Sequence, residues 1–358
     1  MKMSVQIERI AFARLWCIIE VILIRTEVFM KLFGKIMKGI GLSLVGLLAL
    51  FVVVCFTLSS LKPVIFKEFF SGSQEMIAIP GLQEKYVPQG LAYSDQEKTY
   101  LFCGYMTDKK NSRIYITSDG EEVKTLLLQK ENGDPYTGHA GGISVSGKRV
   151  FISNAGKIFY LSLDTLMNAE DRASVSFEGE FSVNNRASFT YADETYLLVG
   201  EYYDPSSKSY ATDESHHFEV AGGKKQRAIC SAYKIDLSEE SGIKENTPAF
   251  ILSLPDYTQG IALTSSGKVV VSCSHGISFS ALNIYSAPDF TKPDATLNGV
   301  PVFYLDDESK EKKVAMPPMS EDIDYAGGQV LVNFESASKK YKEFNLWQSK
   351  SVRGYAVD

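Results

Sequence analysis

Apolar residues gather once in a long run and afterwards only in short ones. From Ile40 to Leu61 the chain has 22 consecutive residues without a charge. That length suffices to cross a hydrocarbon core of about 30 Å as a helix, so one transmembrane helix is expected over 40–61. Lys31, Lys35 and Lys38 precede the run, whereas Lys62 and Lys67 follow it in a mixed-charge stretch. An excess of basic residues marks the cytoplasmic side, which predicts a single-pass protein of the cell membrane with residues 1–39 in the cytoplasm and everything after the helix extracytoplasmic. A cleaved signal peptide is the competing reading. The run is longer than a usual signal core, and no small-x-small cleavage site follows it. Within 1–39, Trp16–Ile24 is apolar but broken by Glu20, too short and too charged to span. Met30-Lys31-Leu32-Phe33 reads as a natural start, which would leave residues 1–29 untranslated; an interfacial amphipathic helix is the other reading of that stretch.

Past a linker at 62–73 the pattern changes to short alternating or apolar runs broken by Gly, Asp, Asn and Ser, which are strand and turn signals. These runs recur as blocks. Innermost strands open at Gly90-Leu91-Ala92-Tyr93, Gly142-Ile143-Ser144-Val145, Ser188-Phe189-Thr190-Tyr191, Gly260-Ile261-Ala262-Leu263 and Asp322-Ile323-Asp324-Tyr325. A strongly apolar second strand follows each, at Tyr100–Gly104, Val150–Asn154, Tyr196–Glu201, Val269–Ser274 and Val330–Glu335. Successive blocks start 52, 46, 72 and 62 residues apart. A period near 50 with four strands per unit is the signature of propeller blades. Insertions at about 204–227 and 287–299 account for the two long intervals. The chain ends on a third strand, 353–358, with no fourth after it, while Glu75–Ile79 lies unused before the first block. Pairing the two closes a ring and removes two exposed sheet edges. The expected fold is therefore all-β: a five-bladed β-propeller over 74–358, its last blade closed by the N-terminal strand, preceded by one transmembrane helix.

Composition sharpens this in two respects. Tyr and Phe together number 40, which favours strands. The net charge of −6 hides an asymmetry: residues 1–61 carry seven Lys or Arg against three Glu, leaving −10 for the remainder. So acidic a globular part argues against nucleic acid, since phosphate binding needs a basic patch. Cys103, Cys230 and Cys273 fall inside apolar strands and read as buried free thiols rather than as a disulfide framework or zinc site.

Candidate chemistry follows from topology. In a propeller, the loops leading into the innermost strands and those after the second strands converge at one end of the central channel, where ligands bind. The repeat places Gln89, His139, Arg186, Gln259 and Glu321 in the first set. It places Tyr105, Asn154, Glu201 with Tyr202, His275 and Glu335 in the second. Loops are polar in any protein, so a merely solvated channel is the bland reading. The residue types argue for more: Glu201, Glu321 and Glu335, with Asp322 beside them, repel one another unless a cation or a shared proton relieves them. Glu321, Glu335 and Asn154 offer hard oxygen ligands for Ca2+, with Gln89 or Gln259 carbonyls completing the shell. His216 and His217 sit in the polar 204–227 insertion, where adjacent histidines are ordinarily solvated; that insertion is a lid, a partner-binding loop or mere decoration. No Gly-x-Ser-x-Gly elbow, Walker loop, dinucleotide fingerprint or EF-hand is present.

In its strand pattern, the stretch from about 74 to 358 resembles the secreted or membrane-anchored bacterial β-propellers, without a motif that matches a characterised enzyme family. By that resemblance, an axial calcium could polarise a substrate as in lactonase-like propellers, and Glu201 with Glu335 could form the acid and base pair of a glycosidase. The expected function is ligand binding at the channel mouth, the ligand being a small polar molecule, a metal ion or a surface protein. The alternative is a hydrolase of lactone, ester or glycoside bonds that uses the axial carboxylates, with or without calcium.

Overall fold

The computed structural model describes residues 44–357 together with Thr26. The chain forms two units, residues 1–58 and 59–358. The apolar run is helical over Leu44–Ser60, 17 residues or about 26 Å. Leu50, Phe51, Val52 and Phe56 on this helix are exposed. Among the described residues no helix is long and apolar enough to cross a membrane. Residues 40–43, and all of the expected 1–39 segment except Thr26, lie outside the described residues, as does the Met30 start.

The second unit consists of five blades around an axis. The first contains strands Tyr86–Ser94, Thr99–Met106, Arg113–Thr117 and Lys124–Gln129. The second contains Gly142–Ser146, Arg149–Asn154, Lys157–Ser162 and Gly179–Ser182. The third is built from Phe189–Ala192, Tyr196–Gly200, Ala228–Lys234 and Phe250–Leu254, and the fourth from Thr258–Leu263, Val269–Cys273, Ser280–Tyr285 and Lys310–Met316. The fifth takes Ser320–Ala326, Gln329–Phe334 and Ser351–Ala356 from the end of the chain and Ser73–Ala78 from its start. That last pairing is antiparallel, from Ser73 opposite Tyr355 to Ala78 opposite Ser351, and it closes the ring as the repeat implies. Second strands such as Val269–Cys273 are buried on both faces because each blade packs against two neighbours. This is why they read as unbroken apolar runs rather than alternating ones.

Three features depart from the repeat. The 287–299 insertion runs into a hairpin, Ala295–Leu297 with Val300–Tyr304, that adds to the outer edge of the third blade in parallel with Phe250–Leu254. Ser174–Ser176 likewise covers the outer edge of the first blade. Exposed edges invite pairing with other chains, and both additions cap them. The stretch expected as a linker is instead two short helices, Lys62–Ile65 and Lys67–Gly72, packed on the propeller through buried Phe66 and Phe69. Phe69 stacks on Tyr355 and meets Phe334 edge-on, while Lys312 pairs with Glu68 at 3.0 Å. These contacts seat the helices against the fourth and fifth blades.

Near the axis the innermost strands approach so closely that side chains are excluded. A Cβ on Gly142 would lie 2.4 Å from the Thr190 backbone nitrogen, and one on Gly260 would lie 2.7 Å from that of Ile323. Four of the five innermost strands are led into by a non-glycine residue in the left-handed region: Ala140, Ala187, Tyr257 and Met319. Such backbone costs about 1–3 kcal/mol per residue and concentrates at functional sites. Here it sets the side chains beside each of these turns around the mouth.

Candidate functional site

The mouth is a cavity of about 800 Å³ walled by every blade. Gln89 and Tyr105 come from the first blade, His139 and Asn154 from the second, Arg186 and Tyr202 from the third, Gln259 and His275 from the fourth, and Glu321 and Glu335 from the fifth. The positions read from the repeat thus meet in one place, with a single exception.

That exception is Glu201, which is fully buried and faces away from the cavity. Its Oε1 lies 2.8 Å from His216 Nδ1 and accepts the Ile229 backbone N–H at 3.2 Å, while Oε2 accepts that of Arg186 at 3.3 Å. Glu201 is therefore a fastener for the insertion that follows it, not a partner for Glu335. The same contact corrects the expectation of a solvated histidine pair. His216 is buried, and His217 bonds Thr212 through Nε2 at 3.0 Å. The insertion is held down a second time by the Arg186 guanidinium, which donates to the Ala211 and Ser209 carbonyls at 2.6 and 2.9 Å. Tyr210 thereby joins the cavity wall.

Glu321 and Glu335 stand within hydrogen-bonding reach of each other, an arrangement that favours two carboxyls sharing a proton. Burial and the neighbouring Glu335 charge push Glu321 well up. Burial likewise lifts Glu335 to about 7, against the opposing pull of its bond to Glu321, the Lys340 ammonium and Gln89. Gln89 donates from Nε2 to Glu335 Oε2 at 3.0 Å and accepts from His139 Nε2, so a hydrogen-bonded relay runs from the pair to the imidazole. The His139 ring keeps contact with water through the mouth. Partial desolvation in the mouth and then the Lys340 charge lower its pKa, so it is neutral at physiological pH. It stacks on Tyr105 with ring centres 4.5 Å apart, and Lys340 donates to Tyr105 Oη at 2.6 Å. Burial, then the adjoining Asp204 and Glu321 charges, raise the Tyr202 hydroxyl, which stays protonated as a donor.

Asp322, fully buried, occupies the axial position that is glycine in the first, second and fourth blades. Its buried carboxyl accepts the Ile323 N–H at 3.1 Å and faces the N–H groups of Leu91 and Ile143. Burial pushes its pKa well up. Asp324, one step further along, accepts from Tyr93 and Tyr325 N–H at 2.6 and 2.8 Å.

The expected calcium ligands do not fit a cation as a set. Asn154 Oδ1 is taken by the His139 N–H at 3.1 Å, and the Lys340 ammonium stands beside the two glutamates. Among the described residues no group of three or more His, Cys, Asp or Glu side chains could hold a metal ion. Lys340, Tyr341 and Asp204 line the cavity without having been anticipated. The first two belong to a 16-residue loop, 335–350, between the second and third strands of the last blade. The run Lys339-Lys340-Tyr341-Lys342 in an otherwise acidic domain was the available signal for that loop.

No family model matches the sequence, and no curated protein matches it. Among solved structures the chain is similar to the PQQ-bound aldose sugar dehydrogenase of Streptomyces coelicolor, at 14% identity with a TM-score of 0.40 over 73% of this chain and 78% of that one. It is also similar to the gluconolactonase XC5397 of Xanthomonas campestris, at 12% identity with a TM-score of 0.38 over 77% and 87% of the two chains. The WD40 propeller domain of Doa1 gives 9% identity and 0.38 over 81% and 98%. These likenesses concern the fold alone.

Proposed function

We propose that this is a membrane-anchored, extracytoplasmic propeller whose channel mouth binds a small, neutral, hydroxyl-rich ligand. The observation that carries the reading is the convergence of donors and acceptors from all five blades on one cavity of about 800 Å³, within the range of small-molecule sites. Lys340 and Arg186 offset Asp204 and a carboxyl pair that shares a proton, so the walls balance rather than attract an ion. Tyr105, Tyr202, Tyr210 and Tyr341 supply apolar faces with polar tips, which suit a ring that bears hydroxyl groups. The anchor rests on the uncharged 40–61 run and the lysines ahead of it. Binding of a panel of neutral monosaccharides, polyols and aldonolactones to the full chain, followed calorimetrically, tests the site. Gln89→Ala and Tyr202→Phe should each weaken the best ligand about tenfold. A panel without binding, or binding indifferent to both changes, overturns the proposal.

A second reading is favoured by one feature, the shared proton. In such a pair the carboxylate can take a proton from water while the carboxylic acid protonates a carbonyl oxygen, a reaction suited to a lactone or ester. Glycoside cleavage is disfavoured, because its two carboxyls stand at least about 5 Å apart. Turnover of an aldonolactone that is lost in Glu335→Gln while binding is kept would establish this reading over simple binding.

A further inference from the structure

On the propeller unit, six of the exposed large apolar side chains gather in one place, apart from others such as Leu237 and Phe290. Val64 and Ile65 on the first short helix, Ile277 and Phe279 after the second strand of the fourth blade, and Phe344 and Leu346 in the 335–350 loop are all exposed. They surround one aromatic cluster: Phe66 meets Phe279 at 4.8 Å and Trp347 at 5.9 Å, and Phe279 meets Trp347 at 5.3 Å. Phe344 is 76% exposed and Ile277 is 64% exposed, so packing on the propeller does not account for either. Both loops are also walls of the cavity, through His275 and through Lys340 and Tyr341. The patch is thus a segment of the mouth's own rim, between the fourth and fifth blades.

Two further observations say what covers it. The chain reaches the propeller at this spot: Lys62 Nζ donates to the Gln348 carbonyl at 2.5 Å and to Ser349 Oγ at 3.1 Å. Lys62 directly follows the uncharged 40–61 run. The rim loop is also basic, with Lys339, Lys340, Lys342 and Lys350 against Glu335 and Glu343, whereas the chain beyond Leu61 is strongly acidic. Exposed aromatic and aliphatic side chains flanked by lysines suit the interface of an anionic bilayer.

We infer that this rim docks on the surface of the membrane that holds the anchor, with Ile277, Phe279 and Phe344 at headgroup depth and the mouth opening beside the lipid. The inference rests on the membrane-anchored reading above, and the test separates the two. The full chain is reconstituted into phosphatidylcholine–phosphatidylglycerol vesicles, with and without brominated acyl chains. Phe344→Trp serves as probe in a Trp16→Phe, Trp347→Phe background. Leu237→Trp is the control, because Leu237 is exposed and lies beyond the third strand of its blade, at the opposite end of the channel. Bromolipid should quench the Phe344→Trp probe at least twofold more than the control, and Lys339→Glu with Lys342→Glu should reduce that difference. Equal quenching of the two probes overturns the docking. So does a disulfide between two Phe344→Cys chains with no lipid quenching, which would assign the patch to a second copy. Alkaline carbonate extraction reports the anchor separately. A chain released by carbonate overturns the anchor and the docking together, and a chain retained but unquenched overturns the docking alone.

Discussion

Replacing Glu335 with Gln should stabilise the propeller above neutral pH while leaving it little changed in acid. In the folded protein the Glu335 carboxyl keeps its proton to about pH 7, against an ordinary value of 4.5. Between those limits the unfolded chain has lost the proton and the folded one has not. Stability from this group is therefore complete below about pH 4.5 and falls as pH rises, levelling off past about 7. The full difference corresponds to about 3 kcal/mol, and contact with cavity water trims it to roughly 2–3 kcal/mol. Gln is a permanent stand-in for the protonated acid: its carbonyl oxygen can still accept from Gln89, and its amide can donate to Glu321. For a unit of about 300 residues, unfolding entropy near 0.6 kcal/mol per kelvin converts the gain to about 4 °C in melting temperature. Calorimetric melts of wild type and variant at several values from about pH 4.5 to 8 measure it. The two curves should nearly coincide at the acid end and separate by that amount at the alkaline end. Parallel curves, or a variant that melts lower at about pH 8, would refute the raised pKa of Glu335.

Further outcomes follow from the same geometry. Lys340→Met removes the charge that lowers both neighbours, so the pKa of His139 and that of Glu335 should rise, as followed by NMR titration of the imidazole. Glu201→Ala orphans the buried Ile229 N–H and frees His216. It should cost about 3 kcal/mol and speed proteolysis near Tyr210, with a smaller loss for Glu201→Gln. Gly260→Ala drives a methyl group to within 2.7 Å of the Ile323 nitrogen, where only backbone could yield. A loss of about 2 kcal/mol or more in denaturant unfolding is expected. Gly222→Ala, which meets nothing within 4 Å, should cost about 1–2 kcal/mol, from its left-handed backbone alone.

The ring was legible because its blades repeat: a small residue at Gly90, Gly142 and Gly260 marks where the strands crowd the axis, and the apolar runs after them mark strands buried on both faces. Closure was legible from a count, one unused strand before the first blade and one missing from the last. The mouth was legible as a set of positions, but not as bonds. Glu201 and Glu335 occupy comparable places in their blades, yet one turns into the protein toward His216 and the other into the cavity. That choice depends on what the 204–227 insertion brings back, which no periodicity records. Lys340 and Tyr341 were hidden for a related reason, since their loop interrupts the repeat between the second and third strands, as 204–227 does in the third blade. Phe66 and Phe69 lay in a stretch too short for helical periodicity to declare itself.

Closing the ring with strands from both ends has a consequence for how the protein is made. During synthesis Ser73–Ala78 leaves the ribosome before the other strands of the propeller, and its partner Ser351–Ala356 follows all of them. The earliest strand thus waits, with an open hydrogen-bonding edge, for almost the entire domain to appear. Non-local pairing of this kind slows folding and leaves nascent chains prone to mispairing. A ribosome stalled shortly before Ser351 would leave a chain with four blades and two unpaired edges, a form that quality-control proteases could distinguish from the finished ring.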